Sequence, residues 1–181
     1  MPAPRRPRKL AAQELFEYAV KCLAARIYST GDLTAKLRLR AANPPDVSAA
    51  IERLKEVGYL NDRHFAETFA AARVANDGFG KIRVLTDLRR HRIPGELAEE
   101  AAIQALDGKS EAELIEAWIE RRMGNQKLDD ERKLAGAFRR LRRAGFTTAP
   151  ILHALKKKAA RPEMLSELPD DLPEEEPADE D

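Results

Sequence analysis

The sequence predicts an all-α protein of tandem three-helix repeats, with three units and about nine helices in an elongated array. Aromatic residues make up 6% and charged residues 35% of its 181 residues, which suits stacked helices with thin interfaces better than one deep core. β-branched residues are too scattered to form a sheet. An apolar pair four residues apart also recurs every 49 residues, which indicates an internal repeat. The pairs are Phe16 with Val20, Phe65 with Phe69, and Leu114 with Trp118.

The first predicted repeat covers residues 13–60. Its first helix carries an apolar stripe made of Phe16, Ala19, Val20, Leu23 and Ile27. A second helix is expected around Leu33 and Leu37, and a third around Val47, Ile51 and Leu54. Pro44 and Pro45 separate these two helices, and Gly58 supplies a helix stop.

The second predicted repeat covers residues 61–108 and follows its first helix with a Gly78-Phe79-Gly80 loop. A helix with Ile82, Leu85 and Leu88 comes next, then a helix that starts near Pro94.

The third predicted repeat covers residues 109–160. Ser110 and Glu113 have the spacing of a capping box, and acidic residues at 129–131 favour the start of the next helix. That helix has an apolar face of Leu134, Phe138 and Leu141, and Gly145 ends it.

The two ends of the chain have opposite charge. Residues 1–12 are predicted to be a disordered basic arm, and residues 161–181 a disordered acidic tail. From Glu163 onward there are ten acidic residues and no Lys or Arg, so the rest of the chain carries a net charge of +11. A body this basic usually binds a polyanion. The tail either folds back on the basic third repeat or serves only solubility.

The predicted contacts to DNA or a protein partner are clusters of basic side chains. The third repeat supplies most of them, namely Arg139, Arg140, Arg142, Arg143, Lys156, Lys157 and Lys158. The second repeat adds a weaker patch of Lys81, Arg83, Arg89, Arg90 and Arg92, with Arg73 on the preceding helix. Lys81 stands where a helix N-terminus favours phosphate, and Arg73 could equally pair with an acid of its own chain. A solvated surface is the alternative interpretation of the third-repeat clusters, and for Lys81 the alternative is that the neighbouring glycines merely turn the chain.

We expect no catalytic activity, and we expect the protein to bind neither a cofactor nor a metal. Gly78-Phe79-Gly80-Lys81 lacks the earlier glycine and the following Ser or Thr of a nucleotide-binding loop. His64, His91 and His153 fall on different helices without metal-ligand spacing. The single Cys22, expected to be buried, suits a reducing compartment, and no apolar run is long enough for a membrane span. We therefore expect a cytoplasmic protein that is a monomer.

One segment resembles a known family. Residues 58–67, GYLNDRHFAE, together with Arg73, Gly78, Gly80, Arg83 and Leu88, closely resemble the central motif of the RecX regulatory proteins. Tyr28-Ser29 and Asp32-Leu33 are similar to the family's pattern in the first unit. The resemblance covers roughly residues 14–158. Asp77 is a departure, since the family usually has Lys before the first loop glycine.

The resemblance implies tandem three-helix repeats and a role in recombination, DNA repair and the SOS response. It also implies partners, which are the recombinase RecA and its filament on single-stranded DNA. RecX proteins typically inhibit the ATPase, strand-exchange and co-protease activities of RecA, and associate with the nucleoid through the filament. The alternatives are a helical-repeat protein that binds nucleic acid without a dedicated protein partner, and a helical scaffold whose charge serves only solubility.

Overall fold

The computed structural model describes residues 8–124 and 128–159, and over these residues it contains nine α-helices and no strand. A π-helical turn, Arg73–Asp77, continues the fourth helix. The all-α prediction is confirmed. The helices are α1 Ala12–Ala25, α2 Thr30–Arg38, α3 Pro44–Glu56, α4 Asp62–Ala72, α5 Lys81–Arg90, α6 Gly95–Leu106, α7 Glu111–Met123, α8 Glu131–Arg143 and α9 Thr148–Lys158.

The chain divides into two compact units between Lys109 and Ser110. In the first unit α1 and α2 pack on α3, and α4 and α5 pack on α6. In the second unit α7 and α8 pack on α9. The third helix of each set of three therefore packs on the other two, as expected of a helical repeat. The exact repeat boundaries and the elongated array stay predictions.

Several helices begin at a residue whose side chain caps the helix N-terminus. Ser29 caps α2 by accepting from the Asp32 amide at 3.0 Å, and Asn61 caps α4 by accepting from the His64 amide at 3.0 Å. The predicted capping box at α7 is present, since Ser110 and Glu113 bond each other's backbone amides. These bonds satisfy amides that the first helical turn leaves without partners.

The buried face of α1 is rotated by one residue from the predicted stripe. Leu15, Ala19 and Cys22 are the buried residues, whereas Phe16 and Val20 are only partly buried. The burial predicted for Ile27 is wrong: it is 49% exposed because α1 ends at Ala25.

Ile82, one of the apolar residues from which α5 was predicted, lies outside the core. The helix buries Val84 and Leu88, and Ile82 is 46% exposed. Two residues correspond to about 200° around an α-helix, so Ile82 lies opposite Val84.

The second unit buries the apolar face predicted for α8. Leu134, Phe138 and Leu141 have at most 4% of their surface exposed. Ile151 and Leu155 of α9 and Trp118 of α7 are buried as well. This packing fixes which side of α8 faces solvent.

Residues 1–7 of the predicted basic arm and the whole of the predicted acidic tail, 161–181, lie outside the described residues. Within the predicted basic arm, Leu10 exchanges backbone hydrogen bonds with the segment between α2 and α3, at 2.7 Å to Arg40 and 2.9 Å to Ala42. A similar bridge joins Leu128 to Ala159. No helix among the described residues is long and apolar enough to span a membrane.

Candidate nucleic-acid interface

The solvent side of α8 is almost entirely basic. Opposite its buried apolar face, the exposed positions of the helix carry Arg132, Lys133, Arg139, Arg140, Arg142 and Arg143, with Glu131 as the exposed acid at its start. Positions three, four and seven apart share a side of a helix, so Arg132, Arg139 and Arg143 form a row with Gly136 between them. The four arginines predicted on this helix are therefore brought together, and Arg132 extends their row.

An open groove of about 460 Å³ runs beside this row. Gly136 contributes no side chain, and a Cβ atom there would meet no other atom within 4 Å. The groove is lined by Met123, Asp130, Arg132, Lys133, Gly136, Ala137, Arg139 and Arg140. Four cations and one carboxylate around an open groove favour an anionic occupant over a neutral one.

Four of these arginines have no acidic partner among the described residues: Arg132, Arg139, Arg140 and Arg143. We call them the α8 arginine face. Lys133 differs, because its Nζ lies 2.6 Å from Asp129 and 3.4 Å from Asp130. Hydrogen bonds to these carboxylates raise the pKa of Lys133 above its ordinary value. Arg142 differs as well, since its Nη1 donates to the Phe146 carbonyl at 3.0 Å.

The predicted lysines of α9 are exposed at the end of that helix. Lys157 pairs with Glu116 of α7 at 3.2 Å, whereas Lys156 and Lys158 make no ion pair with a residue that the structure describes. Their positive charge also complements the carbonyl end of α9. Part of this cluster therefore has a local stabilising role.

In the first unit, most of the predicted cations pair with acids of the chain. Asp87, only 5% exposed, lies within 4 Å of Arg73, Arg83 and Arg90. Arg73 also contacts Asp77 at 2.9 Å. Asp77, the residue that departs from the family pattern, thus supplies a partner for Arg73. The sequence alone left open whether Arg73 contacts an outside partner or pairs with an acid of its own chain.

Phe79, in the predicted glycine loop, is partly buried between two of these arginines. The guanidinium carbons of Arg73 and Arg83 lie 5.5 Å and 5.2 Å from the centre of its ring. Gly78 adopts the left-handed conformation that lets the loop leave the π-helical turn. The loop is therefore built around a cation–π cluster.

The remaining predicted cations of the first unit differ in whether they pair with an acid. Lys81 begins α5 but pairs with Glu99 at 2.7 Å, and Arg92 pairs with Asp32 at 2.6 Å. Arg89 is exposed and makes no ion pair within the described part of the chain. Because ion pairing competes with an outside anion, the first-unit patch offers fewer available charges than α8.

A polar junction between the α2 start and the turn after α5 was not predicted. Ser29 is fully buried and donates to the His91 carbonyl at 2.6 Å, and Asp32 contacts the His91 ring at 2.6 Å. The Thr30 amide donates to Asp62 at 2.6 Å. The His91 ring lies edge-on to Phe65 and Phe69. Ser29 and Asp32 lie about 60 residues from His91, so no local sequence pattern predicts these contacts. The Tyr28-Ser29 and Asp32-Leu33 residues that are similar to the family pattern do form one side of this junction.

In the described part of the chain, no three His, Cys, Asp or Glu side chains lie together as a metal-ligand group. His64 and His153 are exposed, and His91 belongs to the junction. Cys22 is buried and free, as predicted.

Comparison with known proteins gives consistent matches. A model of the second three-helix domain of RecX matches residues 61–101. The regulatory protein RecX of Deinococcus radiodurans is 34% identical over 161 residues, which cover 87% of this chain and 76% of that protein. The regulatory protein RecX of Xanthomonas axonopodis pv. citri is 32% identical, over 80% of this chain and 88% of its own length.

The fold is also similar to solved structures. The crystal structure of RecX from Lactobacillus salivarius superposes with a TM-score of 0.63 and 20% identity, over 81% of this chain and 95% of that one. A second crystal structure, of regulatory protein RecX, gives a TM-score of 0.60 at 18% identity over 80% of this chain and 73% of that one. At these identities the likeness concerns the fold alone.

Proposed function

The chain belongs to the RecX family of regulatory proteins, and from this membership we propose that it binds RecA and the RecA filament on single-stranded DNA. In this proposal it restrains the ATPase, strand-exchange and co-protease activities of RecA, and so regulates recombination and repair. It acts by binding rather than by catalysis.

The observation that carries this proposal is the α8 arginine face. Four guanidinium groups within three helical turns repel one another in the free protein, and no described acid neutralises them. A filament on single-stranded DNA presents phosphates and acidic side chains, either of which can pair with guanidinium groups. We propose Arg139, Arg140 and Arg143 as its primary contacts, with Lys156, Lys158 and Arg89 next.

The ion-paired candidates have a different role in this proposal. Arg73, Arg83, Arg90 and Arg92 hold the first unit together through Asp87 and Asp32. Lys81 and Lys157 pair with Glu99 and Glu116, and Arg142 bonds a backbone carbonyl. We propose that they support the surface and contribute to binding only weakly.

The test is DNA-dependent ATP hydrolysis by RecA on single-stranded DNA, with this protein titrated from well below the RecA concentration. Inhibition at substoichiometric amounts is expected. The triple variant Arg139→Glu, Arg140→Glu, Arg143→Glu should require at least about tenfold more protein, because reversing a contact charge replaces attraction by repulsion.

A control with the same change in charge comes from exposed cations of the first unit. Lys21→Glu, Arg38→Glu, Lys109→Glu reverses three side chains that make no ion pair with described residues. It should inhibit RecA as the unmodified protein does. Equal loss in both triple variants would contradict a specific role for α8.

The second candidate function is nucleic-acid binding without a dedicated protein partner, which the same arginine face favours. It predicts inhibition only when enough protein is present to coat the DNA. It also predicts no inhibition of a RecA filament that already covers all of the DNA, whereas direct binding to RecA would still inhibit such a filament.

A further inference from the structure

We propose that the acidic segment 163–181 binds the α8 groove of its own chain and competes there with outside polyanions. The segment carries ten acidic residues and no Lys or Arg. This inference goes beyond the proposed function, because it concerns a contact within one chain and holds whether or not RecA is the partner.

The first support is the place where the chain leaves the described structure. Ala159, at the end of α9, bridges to Leu128, two residues before the Asp130 that caps α8. The segment therefore starts beside the N-terminal end of the groove.

The second support is length. Residues 160–181 extended at about 3.3 Å per residue reach far beyond α8, which at about 1.5 Å per residue is roughly 20 Å long. Roughly six extended residues, less than a third of the segment, are enough to follow the whole arginine face. Proline residues stand at 169, 173 and 177, and proline has no backbone N–H for a helical hydrogen bond.

The third support is charge. The groove presents Arg132, Arg139 and Arg140 without partners among the described residues, while its other cation, Lys133, is already held by two aspartates. An extended run such as Asp170-Asp171 and Glu174-Glu175-Glu176 offers carboxylates in pairs and threes. Arginine binds carboxylate and phosphate in the same forked geometry, so the segment and a nucleic-acid backbone use the same groups.

The expected size of the effect follows from tethering. A short flexible tether gives an effective concentration of roughly 1 mM. If the free segment bound with a dissociation constant of about 0.1 mM, the tethered segment would weaken competing anions about tenfold. Such competition is screened by salt, and it should be nearly absent at about 0.5 M.

The experiment compares the full chain with a variant in which the ten acids of residues 163–181 become Gln or Asn. Backbone amide NMR spectra of the two proteins should differ along residues 130–143, and the difference should vanish at high salt. Binding of fluorescent oligo(dT) should be about tenfold tighter for the variant at low salt. Unchanged α8 resonances would overturn the proposed docking.

Neutralising ten acids also raises the net charge, which alone favours DNA binding. The matched control repeats the neutralisation in the Arg139→Glu, Arg140→Glu, Arg143→Glu background. If the segment acts through α8, neutralising it should raise oligo(dT) affinity only slightly in the charge-reversed background. An equal rise in affinity in both backgrounds would overturn the proposed competition. Shifts that grow with protein concentration would assign the contact to a second copy and overturn the intramolecular form. Because none of these measurements contains RecA, their outcome is separate from that of the ATPase test.

Discussion

Two helical glycines show how the same residue type has opposite roles at different positions. Gly31, in α2, faces the turn that carries Arg92, and a Cβ atom at position 31 would lie 2.5 Å from the Arg92 Cβ. Gly136, in α8, has open space where its Cβ would be. Gly31 thus allows a close approach between two elements, whereas Gly136 shapes the groove.

We therefore expect Gly31→Ala to lower the free energy of unfolding by about 1–3 kcal/mol, because the added methyl forces the junction apart. Gly136→Ala should raise it by about 0.5–1 kcal/mol, because alanine loses less backbone entropy in a helix. Urea unfolding followed by circular dichroism measures both. A neutral or stabilising Gly31→Ala would show that the junction adapts to the methyl group.

At the residue scale, the sequence predicts local arrangements and misses distant ones. The clustering of Arg139, Arg140 and Arg143 follows from helical spacing, so it could be predicted without a structure. The pairing of Arg92 with Asp32 joins residues 60 positions apart, and it depends on how helices pack. The sequence alone therefore could not distinguish cations that pair with an acid of the chain from cations that remain free to bind an outside anion.

At the element scale, helices whose starts have capping side chains were predicted well. Ser110 and Glu113 form the expected box, and Asp130 caps α8 by accepting from the Lys133 amide at 2.7 Å. The π-helical turn after α4 was missed, because a single wider turn leaves no period in the apolar pattern. It brings Arg73 and Asp77 together and leads into the Phe79 loop.

The two capping serines should differ in their contribution to stability. Ser29 is buried and makes two bonds, one to the Asp32 amide and one to the His91 carbonyl, whereas Ser110 is exposed. We expect Ser29→Ala to destabilise the protein by about 2–3 kcal/mol, since it also leaves a carbonyl without its donor, and Ser110→Ala by about 1 kcal/mol. Thermal and urea unfolding of both variants test the difference. Equal losses of unfolding free energy in the two variants would mean that capping alone accounts for the stabilising contribution of Ser29.

At the scale of the whole molecule, net charge and charge position make different predictions for DNA binding. The chain outside the acidic segment carries +11, so a diffuse field attracts any polyanion. The α8 arginine face instead predicts localised contacts, which release counterions from particular phosphates. Affinity at one salt concentration does not separate the two, but the dependence of affinity on salt does.

We expect Arg139→Ala, Arg140→Ala, Arg143→Ala to make the log–log dependence of oligo(dT) affinity on salt shallower by about 2. This follows from a slope of about −0.7 for each phosphate neutralised on single strands. The matched variant Lys21→Ala, Arg38→Ala, Lys109→Ala removes the same charge and should leave the slope unchanged. Fluorescence anisotropy between about 50 and 200 mM salt measures both. Similar slopes for the two variants would show that binding depends on net charge, and that α8 is then one part of a uniformly basic surface.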